Sequence, residues 1–164
     1  MLISDTGSGV LMDFGSVGPA RIEITDRKMA LAVTEECAQK CTGGERPLFH
    51  SGEWLPHLSL FFLPLAPYRA PELHDVPSGC VLTEKVDVWS FGCTLYAMLF
   101  GNSPFDGSAT SAMSGLVRLP TSPAGSRKVP PQLEDLIKAT LQVDPEKRPS
   151  IQEVEERILA LGLQ

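Results

Sequence analysis

Residues 83–101 read Thr-Glu-Lys-Val-Asp-Val-Trp-Ser-Phe-Gly-Cys-Thr-Leu-Tyr-Ala-Met-Leu-Phe-Gly, and they carry the main signal for the fold class. Apolar side chains occupy nearly every side of a helix drawn through positions 84–100, which predicts a central helix that is buried all round. Thr83 is a suitable N-cap and Gly101 a natural stop. Because other elements must cover such a helix, we predict a mostly α-helical fold built around it.

Two amphipathic helices are predicted downstream of the central one. Residues 132–142 follow Pro131, which suits a first helical turn, and their apolar residues fall on one face. Ser150-Ile-Gln-Glu153 is a capping box, so a second helix should begin there and run to Gly162. The core-facing residues predicted for these helices are Leu133, Leu136, Ile137 and Leu141, then Ile151, Val154, Ile158 and Leu161.

The chain ahead of the central helix is predicted to be rich in turns. The sequence has 14 glycines and 14 prolines among 164 residues, and this combined share of Gly and Pro exceeds the usual value of about 12%. Val10-Leu11-Met12 follows turn-forming residues and predicts the second strand of a hairpin. Residues 29–41 fit either a short helix or an ordered loop, and residues 43–67 have no period and predict a loop.

Composition excludes several classes of function. The net charge of −6 argues against a non-specific nucleic-acid binder, which needs a basic face. The four cysteines form no C-x-x-C pair and the three histidines lack ligand spacing, which argues against a zinc site and for reduced thiols in the cytosol. No signal peptide is predicted, and the apolar run 58–65 is too short to span a membrane.

Four short motifs follow one another in a fixed order. They are Asp13-Phe-Gly15, Ala70-Pro-Glu72, Asp87-Val-Trp-Ser-Phe-Gly92 and Arg148-Pro149. Each motif is weak alone, but the order, with an apolar helix after the third, is a strong signal. The set resembles the C-terminal lobe of a eukaryotic protein kinase, and the resemblance covers everything except the segment near 43–65.

Three further stretches resemble one particular branch of the kinase family. Cys41-Thr42, residues 66–73 and residues 87–97 are similar to the Numb-associated kinases, and within them to the serine/threonine kinase 16-like members. The stretch from Glu72 to Asp87 is a few residues longer than in most kinases. That branch has an extra ordered element at this place, so the length agrees with it.

The resemblance implies that Asp13 is a cofactor-binding and metal-binding residue, the ligand of the Mg²⁺ that bridges the ATP phosphates. It also implies that the glycine-rich loop, the strand lysine, its glutamate partner and the H-R-D loop precede Asp13, where only twelve residues stand. We therefore expect a truncated serine/threonine protein kinase with no catalytic residue. ATP and Mg²⁺ serve the intact family, and neither is expected to bind this fragment.

The resemblance also assigns structural and substrate-side residues. Glu72 and Arg148 match a pair that ties the substrate-side loop to the helical base. Asp87 matches an aspartate that accepts N–H bonds from the absent catalytic loop, so a buried carboxylate without partners is expected. Tyr68 and Arg69 match the pocket beside the target hydroxyl, and Thr42 belongs to the same substrate-side loop, although residues 43–65 separate it from Tyr68.

Three segments are predicted: a D-F-G hairpin and the start of the activation segment over 1–42, an irregular insert over 43–65, and the A-P-E loop with the helical lobe over 66–164. One hypothesis for the insert is a retained in-frame intron, because Gly44-Glu45 and residues 58–65 can be encoded by splice-donor-like and pyrimidine-rich sequences. The other is a docking loop with exposed aromatic residues such as Trp54.

Two alternatives to a kinase fragment are kept: a pseudokinase-like protein-interaction module, or an unstable product of an aberrant transcript. The expected partners are protein substrates or scaffolds of the parent kinase, with no nucleic acid and no transmembrane segment. The resemblance implies a cytoplasmic location, peripheral to Golgi or vesicle membranes.

Overall fold

The computed structural model describes residues 2–3, 9–10, 19–42, 66–120 and 129–162. Most of these residues are helical, and a short antiparallel hairpin lies near the N-terminus, so the predicted fold class is confirmed. In chain order the strands and helices are β1 (Leu2–Ile3), β2 (Gly9–Val10), β3 (Ile22–Glu23), α1 (Arg27–Thr42), β4 (Val81–Leu82), α2 (Lys85–Phe100), α3 (Ala109–Ser114), α4 (Pro131–Thr140) and α5 (Ile151–Ala160).

Both sheets are two-stranded and antiparallel. In the first, β1 pairs with β2, with Leu2 opposite Val10, which confirms the predicted hairpin. Leu11 and Met12, also predicted for its second strand, lie outside the described residues. In the second sheet, Ile22 of β3 lies opposite Leu82 of β4. This pairing joins the start of α1 to the start of α2 and was not predicted.

Helix α2 supplies the centre of the core. Its buried residues lie along one side of the helix, and α4 and residues 66–68 pack against α2. The side chain of Met98 is 66% exposed and that of Leu99 is 38% exposed. The prediction of a helix buried all round was therefore wrong for its last turns, because apolar character permits burial but does not supply a covering element. The buried residues of α2 are Val88, Trp89, Gly92, Cys93 and Tyr96.

The predicted ends of α2 are close to those observed. The Thr83 hydroxyl accepts a bond from the Lys85 N–H at 3.4 Å, and Glu84 occupies the N-cap position without a side-chain bond. Gly101 ends the helix with φ of 79°, in the left-handed region that favours glycine, and its N–H bonds the Ala97 carbonyl.

Helix α4 buries the predicted face, with Leu136 and Ile137 almost fully enclosed. The predicted capping box of α5 is confirmed: the Glu153 N–H donates to the Ser150 hydroxyl at 3.2 Å, and the Ser150 N–H donates to the Glu153 carboxylate at 2.7 Å. Val154 of the predicted stripe is buried, but Ile151 is 50% exposed, so that part of the prediction was wrong. Ile151 lies in the first turn of α5, and the helix first joins the core cluster at Val154.

Helices α2 and α4 approach each other closely at a glycine. A Cβ atom on Gly92 would overlap the Thr140 hydroxyl and would lie 3.0 Å from a methyl carbon of Leu141. The absence of a side chain at position 92 therefore allows the two helices to pack at their observed separation.

Residues 29–41, for which a helix and a loop were both open, form most of α1. The helix packs over a small buried cluster made of Ile24, Ala30, Val76 and Leu82. This cluster is separate from the one around Trp89, and α1 packs against residues 66–68 and 71–73 more than against α2.

Candidate functional site

Glu72 and Arg148 form a bidentate ion pair. Glu72 lies in a 3₁₀ turn (Pro71–Leu73), and Arg148 ends a second one (Pro145–Lys147). The two guanidinium nitrogens Nη1 and Nη2 lie 2.7 and 2.8 Å from Oε1 and Oε2 of the carboxylate. The Arg148 side chain is fully buried and that of Glu72 is 13% exposed. Two parallel charge-assisted bonds fix the relative orientation of the two turns.

All five N–H groups of the Arg148 guanidinium have an acceptor. Besides the two bonds to Glu72, they donate to the backbone carbonyls of Gln142 at 2.7 Å, Lys85 at 2.9 Å and Val143 at 3.1 Å. The Lys85 ammonium in turn donates to the Arg148 carbonyl at 2.5 Å. A buried cation is costly unless it is paired and fully bonded, and both conditions are met here.

The Arg148 guanidinium also stacks on the aromatic core. Its Cζ atom lies 5.0 Å from the centre of the Trp89 ring. The Phe105 ring stacks on the same indole, with centroids 5.0 Å apart and planes 11° from parallel. A desolvated cation over an indole is stabilised by about 2 kcal/mol. Arg148 therefore joins the turn at Glu72, the beginning of α2, the end of α4 and the main core.

The segment 66–70, just ahead of Glu72, is held by backbone contacts. The Ser90 hydroxyl on α2 donates to the Tyr68 carbonyl at 3.0 Å, and that of Ser103 donates to the Pro67 carbonyl at 3.4 Å. Gly107, with φ of 89°, approaches so closely that a Cβ atom would lie 3.1 Å from the Cβ of Ala66. The segment is thus fixed from two sides before it reaches Glu72.

Arg69 turns its side chain inward, towards α1. Its Nη2 donates to the Thr34 carbonyl at 3.0 Å and also to the Leu73 carbonyl. His74 follows in the same turn. Burial, and secondarily the Arg69 charge, lowers the pKa of His74 below its ordinary value of 6.5, while a hydrogen bond from the imidazole to the Arg69 backbone acts in the opposite direction. The imidazole is therefore neutral at physiological pH.

Cys93 lies in the core beneath this loop. Burial raises the pKa of its thiol to about 12, and the Arg148 charge only partly opposes the shift. The thiol is consequently protonated at neutral pH and is a poor nucleophile. In the described ranges, Cys80 and Cys93 are free thiols.

Comparison with known proteins identifies the family. The protein kinase domain profile matches residues 64–158, which contain Glu72, Arg148 and the whole of α2. The chain belongs to the protein kinase family. The chain is 36% identical to serine/threonine-protein kinase 16 of mouse and of human over 157 residues, which is 92% of this chain and 43% of either relative. It is 37% identical to a probable serine/threonine-protein kinase of Dictyostelium discoideum, over 91% of this chain and 36% of the relative. The chain spans less than half the length of the curated relatives it matches.

The remaining predicted site residues lie as follows. Asp13 and the rest of the D-F-G motif lie outside the described residues. Thr42 is the last residue of α1, and its side chain is not described. Tyr68 is half-buried against the main core. Asp87 is exposed in the first turn of α2, so the expected buried carboxylate was wrong, because the first turn faces solvent at that position.

Across the ranges that the structure covers, no three His, Cys, Asp or Glu side chains are grouped so that they could hold a metal ion. Likewise, none of the helices in those ranges is both long and apolar enough to cross a bilayer.

Sequence reasoning missed three residues that build this site: Thr34, Lys85 and Ser90. Ser90 is a polar residue within a largely apolar helix, and that signal could have marked it. The hydrogen bonds of Thr34 and Lys85 join residues that are 35 or more positions apart, and the acceptors are backbone carbonyls. Since every residue has a carbonyl, the sequence does not reveal these bonds.

Proposed function

We propose that this chain is the C-terminal, substrate-side lobe of a serine/threonine protein kinase of the Numb-associated, kinase 16-like branch. The observation that carries the proposal is the Glu72–Arg148 pair, in which every guanidinium N–H is bonded. Such a pair is costly to bury unless its geometry is complete. Its completeness supports a loop built to hold one position, with Tyr68 and Arg69 directly ahead of it.

We further propose that the 164 residues do not transfer phosphate by themselves. Kinases achieve transfer almost entirely by positioning the nucleotide and stabilising its charge. That requires a glycine-rich loop, a strand lysine, a catalytic aspartate and two metal-binding residues. The 164 residues contain no H-R-D triplet and no G-x-G-x-x-G sequence, and Asp13 is their one candidate ligand for Mg²⁺.

A chimera tests the two parts of the proposal together. The part of mouse serine/threonine-protein kinase 16 that this chain matches is replaced by the chain, and phosphoryl transfer to a protein substrate is measured for the chimera and for the chain alone. We expect transfer by the chimera and none by the chain. The variant Arg148→Ala should abolish transfer in the chimera, whereas Lys147→Ala, its exposed neighbour, should not.

The other outcomes are equally informative. Transfer by the chain alone, or a thermal shift with Mg-ATP that Asp13→Ala removes, would contradict the proposed inactivity. A chimera that folds cooperatively but transfers nothing would contradict the kinase-lobe assignment. It would favour the alternative of a protein-interaction module that uses the same loop.

A further inference from the structure

Thr34 connects α1 to both ends of the segment 69–76. Its hydroxyl accepts a bond from the Val76 N–H at 3.1 Å and donates to the Ala30 carbonyl at 2.9 Å within its own helix. Its backbone carbonyl accepts the bond from Arg69 Nη2 at 3.0 Å. One residue in the middle of α1 therefore holds a backbone amide at one end of the segment and a cation at the other.

The other contacts between α1 and this segment are less specific. Ala30 and Val76 belong to the small buried cluster, and Met29, Val33 and Leu73 pack against it. Apolar packing of this kind attracts the helix but tolerates sliding, since it has no direction. The ion pair of Arg27 with Asp75 spans 3.5 Å between side chains that are 61% and 79% exposed, so it adds little.

The Arg69 side chain can lie inward against α1 or point towards solvent, and the position of α1 determines which of the two it adopts. With α1 in place, its Nη2 is occupied by the Thr34 and Leu73 carbonyls, and its Nε atom is buried without a partner among the described residues. A guanidinium held this way does not face a polypeptide bound at the surface. If α1 moved away, the Thr34 carbonyl would leave with it, and the cation, held then by the Leu73 carbonyl alone of these two acceptors, would reach solvent more readily.

We propose that Thr34 is the positioning residue of the substrate-side loop. Its hydroxyl fixes α1 over residues 69–76, and this keeps the Arg69 guanidinium folded inward, away from a docked protein. The functional meaning rests on the substrate-side role proposed above, whereas the physical linkage from Thr34 to Arg69 does not depend on it. Thr34 touches no reacting group, so it acts through Arg69.

The test uses the full 164-residue chain and needs no phosphoryl transfer. Thr34→Val keeps the shape of the side chain but removes the hydroxyl, which leaves the Val76 amide without its acceptor. We expect that amide to exchange its hydrogen at least about tenfold faster, because an unmatched amide favours local opening. We expect phenylglyoxal, which modifies arginine, to react several-fold faster with Arg69, as read by mass spectrometry.

Two matched variants and one internal reference separate positioning from a general loss of stability. Thr34→Ser keeps the hydroxyl and should restore both rates. Thr94→Val removes a helical hydroxyl that bonds only the Ser90 carbonyl of its own helix, so it should change neither rate. Arg148 should stay unmodified throughout, because it is exposed only if the whole fold opens.

The proposal would be overturned if phenylglyoxal modified Arg69 equally fast in the wild type and in Thr34→Val. It would also be overturned if the variant accelerated the modification of both Arg69 and Arg148. A further arm uses the chimera with mouse kinase 16. There Thr34→Val should change KM for the protein substrate and leave kcat unchanged, and Thr34→Ser should restore KM. If the chimera is inactive, the proposed function fails, but the exchange and modification rates still decide the linkage from Thr34 to Arg69.

Discussion

Gly92 of α2 lies directly against Thr140 of α4, and the contact leaves no room for a methyl group. A Cβ atom on Gly92 would overlap the Thr140 hydroxyl and lie 3.0 Å from the Thr140 Cβ. Thr140 is fully buried, and its hydroxyl donates to the Ile137 carbonyl at 2.9 Å, so it cannot turn away without losing that bond.

Replacing Gly92 by alanine should therefore destabilise the chain. An alanine inside a helix is normally more stable than a glycine by about 1 kcal/mol, but overpacking in a core costs about 1–3 kcal/mol. We expect the second effect to dominate in urea unfolding. Adding Thr140→Ala should recover part of the loss, because it removes the hydroxyl that the new methyl group meets. A Gly92→Ala variant more stable than the wild type would show that the helices separate freely.

Glu72→Ala and Arg148→Ala should each lower the free energy of unfolding by about 3–5 kcal/mol, because each leaves a buried partner unpaired. The double variant should lose less than the sum, since both single changes break the same pair. Arg148→Lys should not rescue, because an ammonium cannot reproduce five planar donors. The exposed pair of Lys147 with Asp144, at 3.6 Å, is the control, and Lys147→Ala should cost less than about 1 kcal/mol. Strictly additive losses at Glu72 and Arg148 would contradict the coupling.

His74 should make stability depend on pH in a predictable direction. Its pKa in the folded chain lies below the ordinary 6.5, so the folded state binds the proton less readily than the unfolded state. The contribution of His74 is therefore fully present above about pH 6.5 and is lost as the pH falls through that value towards the folded pKa. Unfolding curves between pH 7.5 and about 5 should show a smaller loss for His74→Gln than for the wild type. Parallel losses would exclude His74 as a source of the dependence.

Cys93 should resist alkylation in the folded chain. Its thiol is buried and its pKa is raised to about 12, so the reactive thiolate is scarce at pH 8. We expect iodoacetamide to modify Cys93 more than about tenfold slower than the half-buried Cys80, with both sites read by peptide mass spectrometry. In denaturant the two rates should converge. Equal rates in the native chain would mean that α2 opens readily around Cys93.

The predictable parts of this fold depend on neighbours in the sequence. The capping box of Ser150 and Glu153 needs residues three positions apart, and the buried face of α4 repeats with the helical period. Gly101 ends α2 because a left-handed residue is required there. Each of these signals is local, so the sequence carries it directly.

The parts that were missed depend on distant partners. The exposure of Met98 depends on what lies opposite the last turns of α2, and a hydrophobicity pattern does not contain that information. The pairing of Ile22 with Leu82 joins two strands of two residues, too short to produce an alternation. Arg148 could be matched to Glu72 by resemblance, but its three carbonyl acceptors could not, because every residue has a carbonyl.

The close approach of Gly107 to Ala66 has a consequence for how this loop can evolve. Together with the Ser90 and Ser103 hydroxyls, it holds residues 66–68 through contacts with residues further along the chain. The position of Tyr68 is therefore insulated from the number of residues that join Thr42 to Ala66. Because the entropy of closing a loop grows only with the logarithm of its length, residues can be gained or lost there at small cost. The site thus tolerates changes in the length of the segment between Thr42 and Ala66, whereas the hydrogen bonds around Arg148 allow little change in the positions of their atoms.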